Sequence, residues 1–159
     1  VLREALFARI CKCAVVGVGI ATVEEIDALN ILGATKLAMS RAVAALSTCA
    51  DVALVDGNQP PKLSCQTVAV VGGDAISLSI AAASIVAKVS RDRLMQQLAL
   101  EHPGYGWEKN AGYGTRQHQL AMLSLGITPH HRRSFRPVYE ILGRMEAVAK
   151  DDRDETAHA

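Results

Sequence analysis

Two acids stand directly behind apolar runs. Asp56 follows Val52–Val55 and precedes Gly57, while Asp74 follows Thr67–Val71 through Gly72 and Gly73. In an open α/β sheet, side chains at the carboxyl ends of strands face the crevice where ligands bind. Two carboxylates brought close there form an oxygen-rich site suited to Mg²⁺ or Mn²⁺. Such ions serve phosphodiester hydrolysis, because they activate water and neutralise the leaving oxygen. Either aspartate alone reads equally well as a turn or cap residue, since Asp-Gly is a frequent turn pair.

The elements that must position these acids are partly legible. Lys12–Ile20 (KCAVVGVGI) reads as a buried strand, and Thr22 with Glu25 forms a capping box opening the next helix. Leu32, Met39, Val43 and Leu46 recur at helical spacing, which predicts a core-facing helix over Ile31–Ser47. Val52–Val55 and Thr67–Val71 read as buried strands, followed by a helix from about Ser77 to Leu100. Gly104, Gly106, Gly112 and Gly114 punctuate a loop that carries Tyr105, Trp107 and Tyr113. Amphipathic helices are expected over Gln117–Leu125 and Val138–Ala149. Strands alternating with helices imply an α/β layered fold, with one domain over residues 1–149 and a disordered acidic tail over 150–159.

Composition narrows the class. The chain has 159 residues, half of them hydrophobic, which suffices for a core. Ala75–Ala87 is the longest uncharged run, too short and too serine-rich for the ~18–20 apolar residues of a membrane span. The start, VLREALF, lacks both an initiator Met and the features of a secretory signal, so the chain is expected to begin partway into a longer protein. Cys11, Cys13, Cys49 and Cys65 lack zinc-ribbon spacing and are expected to be buried, reduced thiols of a cytoplasmic protein. Net charge is +1, yet residues 88–136 hold eight Lys/Arg against three Asp/Glu, where a polyanion would be gripped. A solvated basic face is the plainer account of that bias. His102, His118 and His158 show no ligand spacing.

Three ordered blocks carry a resemblance. LVDGN (Leu54–Asn58), GGDAISLSIAAASIVAKVSRDRLM (Gly72–Met95) and GYGT (Gly112–Thr115) with HHRRSF (His130–Phe135) resemble the type 2 ribonuclease H family, ribonuclease HII, from about Leu2 to Val138. The resemblance implies a ribonuclease H-like mixed sheet flanked by helices, with a C-terminal helical part that binds substrate. It makes Asp56 and Asp74 the catalytic, metal-ligating carboxylates, with Mn²⁺ or Mg²⁺ as cofactor, and places Ser84 and Lys88 along the same cleft. Asp92, in the run Ser-Arg-Asp-Arg, invites intrahelical pairing and reads as structural. Gly112 and Tyr113 correspond to the loop that reads an RNA to DNA junction. Flanking glycines let the backbone approach a minor groove, where a tyrosine ring can stack under a sugar and sense its 2′-hydroxyl. Without that motif, Tyr113 reads as a packed aromatic. Arg132 and Arg133 become phosphate contacts, whereas His130 and His131 could equally cap a helix.

The family's opening motif, DE-x-GRG, is missing from this sequence, and the first strands with it. Two of the four metal carboxylates would come from there, so the chain is expected to be a fragment inactive by itself. The implied function is a monomeric endoribonuclease that hydrolyses the RNA strand of RNA/DNA hybrids and incises duplex DNA at embedded ribonucleotides. A reading from another class remains beside it: a non-catalytic nucleic-acid-binding remnant that uses the basic segment 88–136.

Overall fold

The computed structural model describes residues 2–144. The tail 150–159 and the last part of the helix expected over Val138–Ala149 lie outside the described residues. The chain divides into two compact units, Val1–Leu94 and Met95–Ala159.

In the first unit, α1 spans Leu2–Cys13, α2 Val23–Ala44, β1 Val52–Asp56, β2 Gln66–Val70 and α3 Gly73–Ile76, and α4 then runs over Leu78–Glu101 across the boundary. The capping box forms as its residue types require. Thr22 Oγ1 accepts from the Glu25 N–H at 3.3 Å, and Glu25 Oε2 accepts from the Thr22 N–H at 2.9 Å. Asn30 interrupts α2 with φ of 60°. Its side chain accepts from the N–H groups of Leu32 and Gly33, so a second capped helical stretch begins at Ile31, where the sequence placed it. That stretch ends at Ala44 rather than Ser47, and its apolar stripe is only partly covered. Leu32 is exposed, Met39, Val43 and Leu46 are half-buried, and the buried residue is Ala34.

No strand forms over Lys12–Ile20. Lys12 and Cys13 close α1, and residues 15–22 carry no regular structure. A strand needs a ladder partner for its N–H and C=O groups. Among the described residues the sheet holds only β1 and β2. The segment instead runs against α2. A Cβ added at Gly17 would lie 2.1 Å from the Ala42 carbonyl oxygen, and one at Gly19 2.0 Å from that of Ala38. These glycines permit a backbone approach that any side chain would block. Arg41 secures it by donating to the Ile20 carbonyl at 2.7 Å and to both Glu25 oxygens at 2.6 Å. Arg41 and the Thr22 N–H hold the Glu25 carboxyl down to about 2.

Strands β1 and β2 pair in parallel, with Val52 opposite Gln66 and Asp56 opposite Val70. Residues 57–65 link them without a helix, shorter than the usual parallel crossover. Side chains alternate, so Val52, Leu54, Asp56 and Val68 share one face and Val55 lies on the other. Only Val55 is buried; Val52, Leu54 and Val68 remain exposed, against the expectation of buried strands. The four thiols are free, but Cys11, Cys13 and Cys49 are exposed and Cys65 half-buried, so the expected burial does not hold. No helix is long and apolar enough to cross a membrane among the described residues.

The second unit takes the end of α4, α5 at Trp107–Asn110, α6 at Arg116–Leu125, and a further helix, α7, from 136 to the last described residue. Met95, Tyr105, Trp107, Ala121, Met122, Val138 and Ile141 form its core. Two of the aromatics read from sequence as loop residues are therefore packing residues. Tyr105 and Trp107 stack at 5.0 Å between centroids, and the Tyr105 hydroxyl donates to the Gly126 carbonyl at 3.0 Å.

Candidate functional site

The first group of candidates sits where β1 and β2 end. Asp56 is the last residue of β1, and Asp74 lies in α3, just beyond β2. Gly73 joins them: its N–H donates to Asp56 Oδ1 at 2.8 Å, and Asp74 is the next residue. The contact depends on glycine. A Cβ there would stand 2.5 Å from Ile80 Cδ1 and 3.5 Å from Asp56 Oδ1. Both aspartates are exposed. The parallel register thus sets two carboxylates at one strand end, as the sequence implied. All the acidic donors there are oxygens, which suits a hard divalent ion retaining several waters. No compact group of three ligand side chains among the described residues includes either aspartate.

Ser84 and Lys88 lie one turn apart on α4, so they share a face with Asp92. Ser84 is exposed, while Lys88 is half-buried and its Nζ is ion-paired with Asp92. The intrahelical pairing expected of Asp92 is present, and its partner is the lysine that the resemblance assigned to substrate. Arg93 pairs with Glu4 at 2.6 Å and Arg136 with Glu140 at 2.7 Å. At least three of the eight cations in 88–136 are thereby matched by acids.

In the second unit the GYGT and HHRRSF motifs meet. Gly112 has φ of 78°, and its N–H is held by Asn110 Oδ1 at 2.8 Å. Tyr113 follows, 62% exposed as a residue, which disposes of the packed-aromatic reading. The Tyr113 carbonyl is pinned from below by His118 Nδ1 at 3.0 Å. Trp107 Nε1–H can only donate, and it does so to His118 Nε2 at 3.0 Å, so the His118 proton resides on Nδ1 and points to that carbonyl. His131 Nδ1 accepts from the Thr128 N–H at 3.0 Å, which leaves its Nε2–H facing His118 Nε2 at 3.1 Å, where it shares with Trp107 the single lone pair of that nitrogen. Burial, with His118 adjacent, lowers His131 to about 4, so it is neutral near pH 7. Its role is internal bonding in a turn, and it caps no helix. Phe135 lies against Gly114, 3.7 Å from where a Cβ would be, and the Arg132 guanidinium covers the Phe135 ring at 4.9 Å. Arg132 is accordingly held next to the tyrosine loop, and Arg133 is exposed beside it.

Sequence reasoning missed the buried histidine chain, because residues 118 and 131 become neighbours only through the fold. The capping position of Thr115, which accepts from the His118 N–H, was the available local signal.

The model of the family described as Ribonuclease HII matches residues 2–138. This chain belongs to the ribonuclease HII family. It is therefore a type 2 ribonuclease H by descent. Ribonuclease HII of Cereibacter sphaeroides is 60% identical over 148 residues, covering 92% of this chain and 70% of that protein. The Ruegeria pomeroyi ribonuclease HII is 60% identical over 141 residues, covering 88% of this chain and 60% of the relative. The chain thus spans roughly two-thirds of the length of these relatives. The crystal structure of ribonuclease H2 from Pyrococcus horikoshii superposes with a TM-score of 0.68 at 23% identity, covering 91% of this chain and 77% of that one. That likeness establishes the fold, mixed α/β with a small parallel sheet.

Proposed function

We propose that this chain carries the strand-end acid pair and the substrate-reading loop of an endoribonuclease that cuts the RNA strand of RNA/DNA hybrids and incises duplex DNA at single ribonucleotides. The observation that carries the reading is the placement of Asp56 and Asp74 at one end of the β1–β2 pair, with the Gly73 N–H donating to Asp56 and Asp74 the next residue, in a chain of this family. Asp56 and Asp74 would hold Mg²⁺ or Mn²⁺, and Gly73 fixes which Asp56 oxygen is left for it. When bound, such an ion offsets phosphodiester charge and acidifies the attacking water. Ser84 lines the approach from α4, with Lys88 tempered by Asp92. Tyr113, presented by Gly112 and locked through its carbonyl, stacks on the sugar that marks the junction, and Arg132 and Arg133 contact phosphate. The family match runs unbroken across both compact units, which supports treating them as parts of one catalytic domain. Four free cysteines agree with a reducing, cytoplasmic setting.

The test is incision of a duplex with one embedded ribonucleotide, using this chain joined to the amino-terminal part of a 60% identical relative. Cleavage should need Mg²⁺ or Mn²⁺ and fall by about 100-fold or more in Asp56→Asn or Asp74→Asn. Undiminished incision by either variant would overturn the assignment. Salt-sensitive hybrid binding that needs no divalent ion, without any cleavage, would instead favour the non-catalytic binding module.

A further inference from the structure

Glu101 ends α4, His102 follows it directly, and His130 lies in the turn that follows α6. Twenty-eight positions separate the two histidines, yet the second unit brings one ligand atom from each of the three residues within 4.8 Å of the others. The imidazole rings stand 5.1 Å apart between centroids at 62°, so they converge edge to face. Trp107 closes the inner side, with its ring 5.8 Å from that of His102 and 6.3 Å from that of His130. Glu101 Oε1 accepts from Gln97 Nε2 at 3.1 Å, the outer hydrogen bond that commonly orients a ligating carboxylate. Glu101 and His130 are exposed and His102 half-buried, so an ion can enter from solvent and the side chains can adjust.

We infer that Glu101, His102 and His130 form a three-ligand site for a borderline transition-metal ion of the Zn²⁺ class. Two imidazoles and one carboxylate are the donors such ions favour, whereas Mg²⁺ and Mn²⁺ prefer oxygen alone. A tetrahedral ion with bonds of 2.0–2.1 Å sets its ligands about 3.3 Å apart, within reach of exposed side chains that now lie inside 4.8 Å. Water would fill the fourth position. The site shares no residue with the Asp56 and Asp74 pair and does not rest on the function proposed for it. Bound metal would clip the end of α4 to the turn over residues 128–131, the turn that leads into Arg132 and Arg133.

Zn²⁺ titration by calorimetry at neutral pH tests this, using the chain with the exposed Cys11, Cys13 and Cys49 replaced by serine so that thiolates do not compete. One equivalent should bind. Co²⁺ should give the visible bands of a four- or five-coordinate site, without sulfur charge transfer. His130→Gln, His102→Gln and Glu101→Gln should each weaken Zn²⁺ at least tenfold, while Glu108→Gln, an exposed carboxylate outside the site, leaves the affinity unchanged. Near-ultraviolet circular dichroism of Trp107 confirms that each variant is folded. In addition, Zn²⁺ should raise the melting temperature of the parent and not that of His130→Gln. Affinity within twofold of the parent in folded His102→Gln/His130→Gln, or no stoichiometric binding by the parent, would overturn the site.

Discussion

Gly73 illustrates how a residue without a side chain can orient a neighbouring carboxylate. Its N–H fixes Asp56 at 2.8 Å, and a methyl group would collide with Ile80 Cδ1 at 2.5 Å. Gly73→Ala should therefore cost about 1–3 kcal/mol by overpacking and reduce incision at least tenfold by displacing the donor. Ile80→Val removes the obstructing atom, so Gly73→Ala/Ile80→Val should recover most of both losses. Urea unfolding and the single-ribonucleotide assay measure the two effects, and failure of the second change to rescue either would show that the N–H contact is incidental. Asp56 and Asp74 were picked out in the sequence because the first directly ends an apolar run and the second follows one through two glycines. The contact that orients Asp56 was not, since glycine offers no side chain from which to read it. The histidines were misread for a related reason: spacing along the chain says nothing when four rings converge from three segments. Trp107→Phe removes the N–H that His118 accepts and should destabilise the second unit by about 1–3 kcal/mol, checked by circular dichroism during urea unfolding.

At the level of elements, the parallel pair has two faces that should respond differently to substitution. Val55 is buried, so Val55→Ala should cost about 1–3 kcal/mol, whereas Val52→Thr on the exposed face should stay within about 0.5 kcal/mol. Equal costs would mean that the exposed face is covered in solution. Both strands, α4 and the Thr22 capping box were readable because their signals are local. The supposed strand over Lys12–Ile20 was not, because strand formation depends on a partner elsewhere, and here two glycines and Arg41 commit the segment to α2 instead. The turn over residues 128–131 makes a further testable element. Its His131 is neutral in the fold and lowered to about 4, against about 6.5 when unfolded. Protonation would break the bond accepted from the Thr128 N–H, and His118, His130 and His102 oppose the added charge. Between these values the unfolded chain binds more protons, so this contribution is complete above pH about 6.5 and is lost as pH falls toward about 4. In the presence of a chelator, stability should decline across that window by at most about 1.4 kcal/mol per pH unit from this group, and His131→Gln should flatten the slope.

For the whole molecule, apolar burial is uneven between the two units. The second holds a continuous core from Met95 to Ile141, whereas the buried apolar residues of the first are Ala34, Val55, Ile80, Val86 and Val89, with Val15, Val18, Ile20, Leu29, Leu32, Leu54 and Val71 exposed. Parallel sheets ordinarily bury both faces. Apart from the strand over Lys12–Ile20, which does not form, the sequence signalled these apolar elements, but hydrophobicity alone does not say which of their surfaces find cover. Since burial of apolar area is the main stabilising term, the first unit should be the weaker. The probes for this are already separated, because the single Trp, Trp107, is buried in the second unit while helix signal arises from both. Urea unfolding followed by tryptophan fluorescence should have its midpoint above the one followed by far-ultraviolet circular dichroism, and 8-anilinonaphthalene-1-sulfonate should bind before the tryptophan signal changes. Coincident midpoints by both probes would show one cooperative unit.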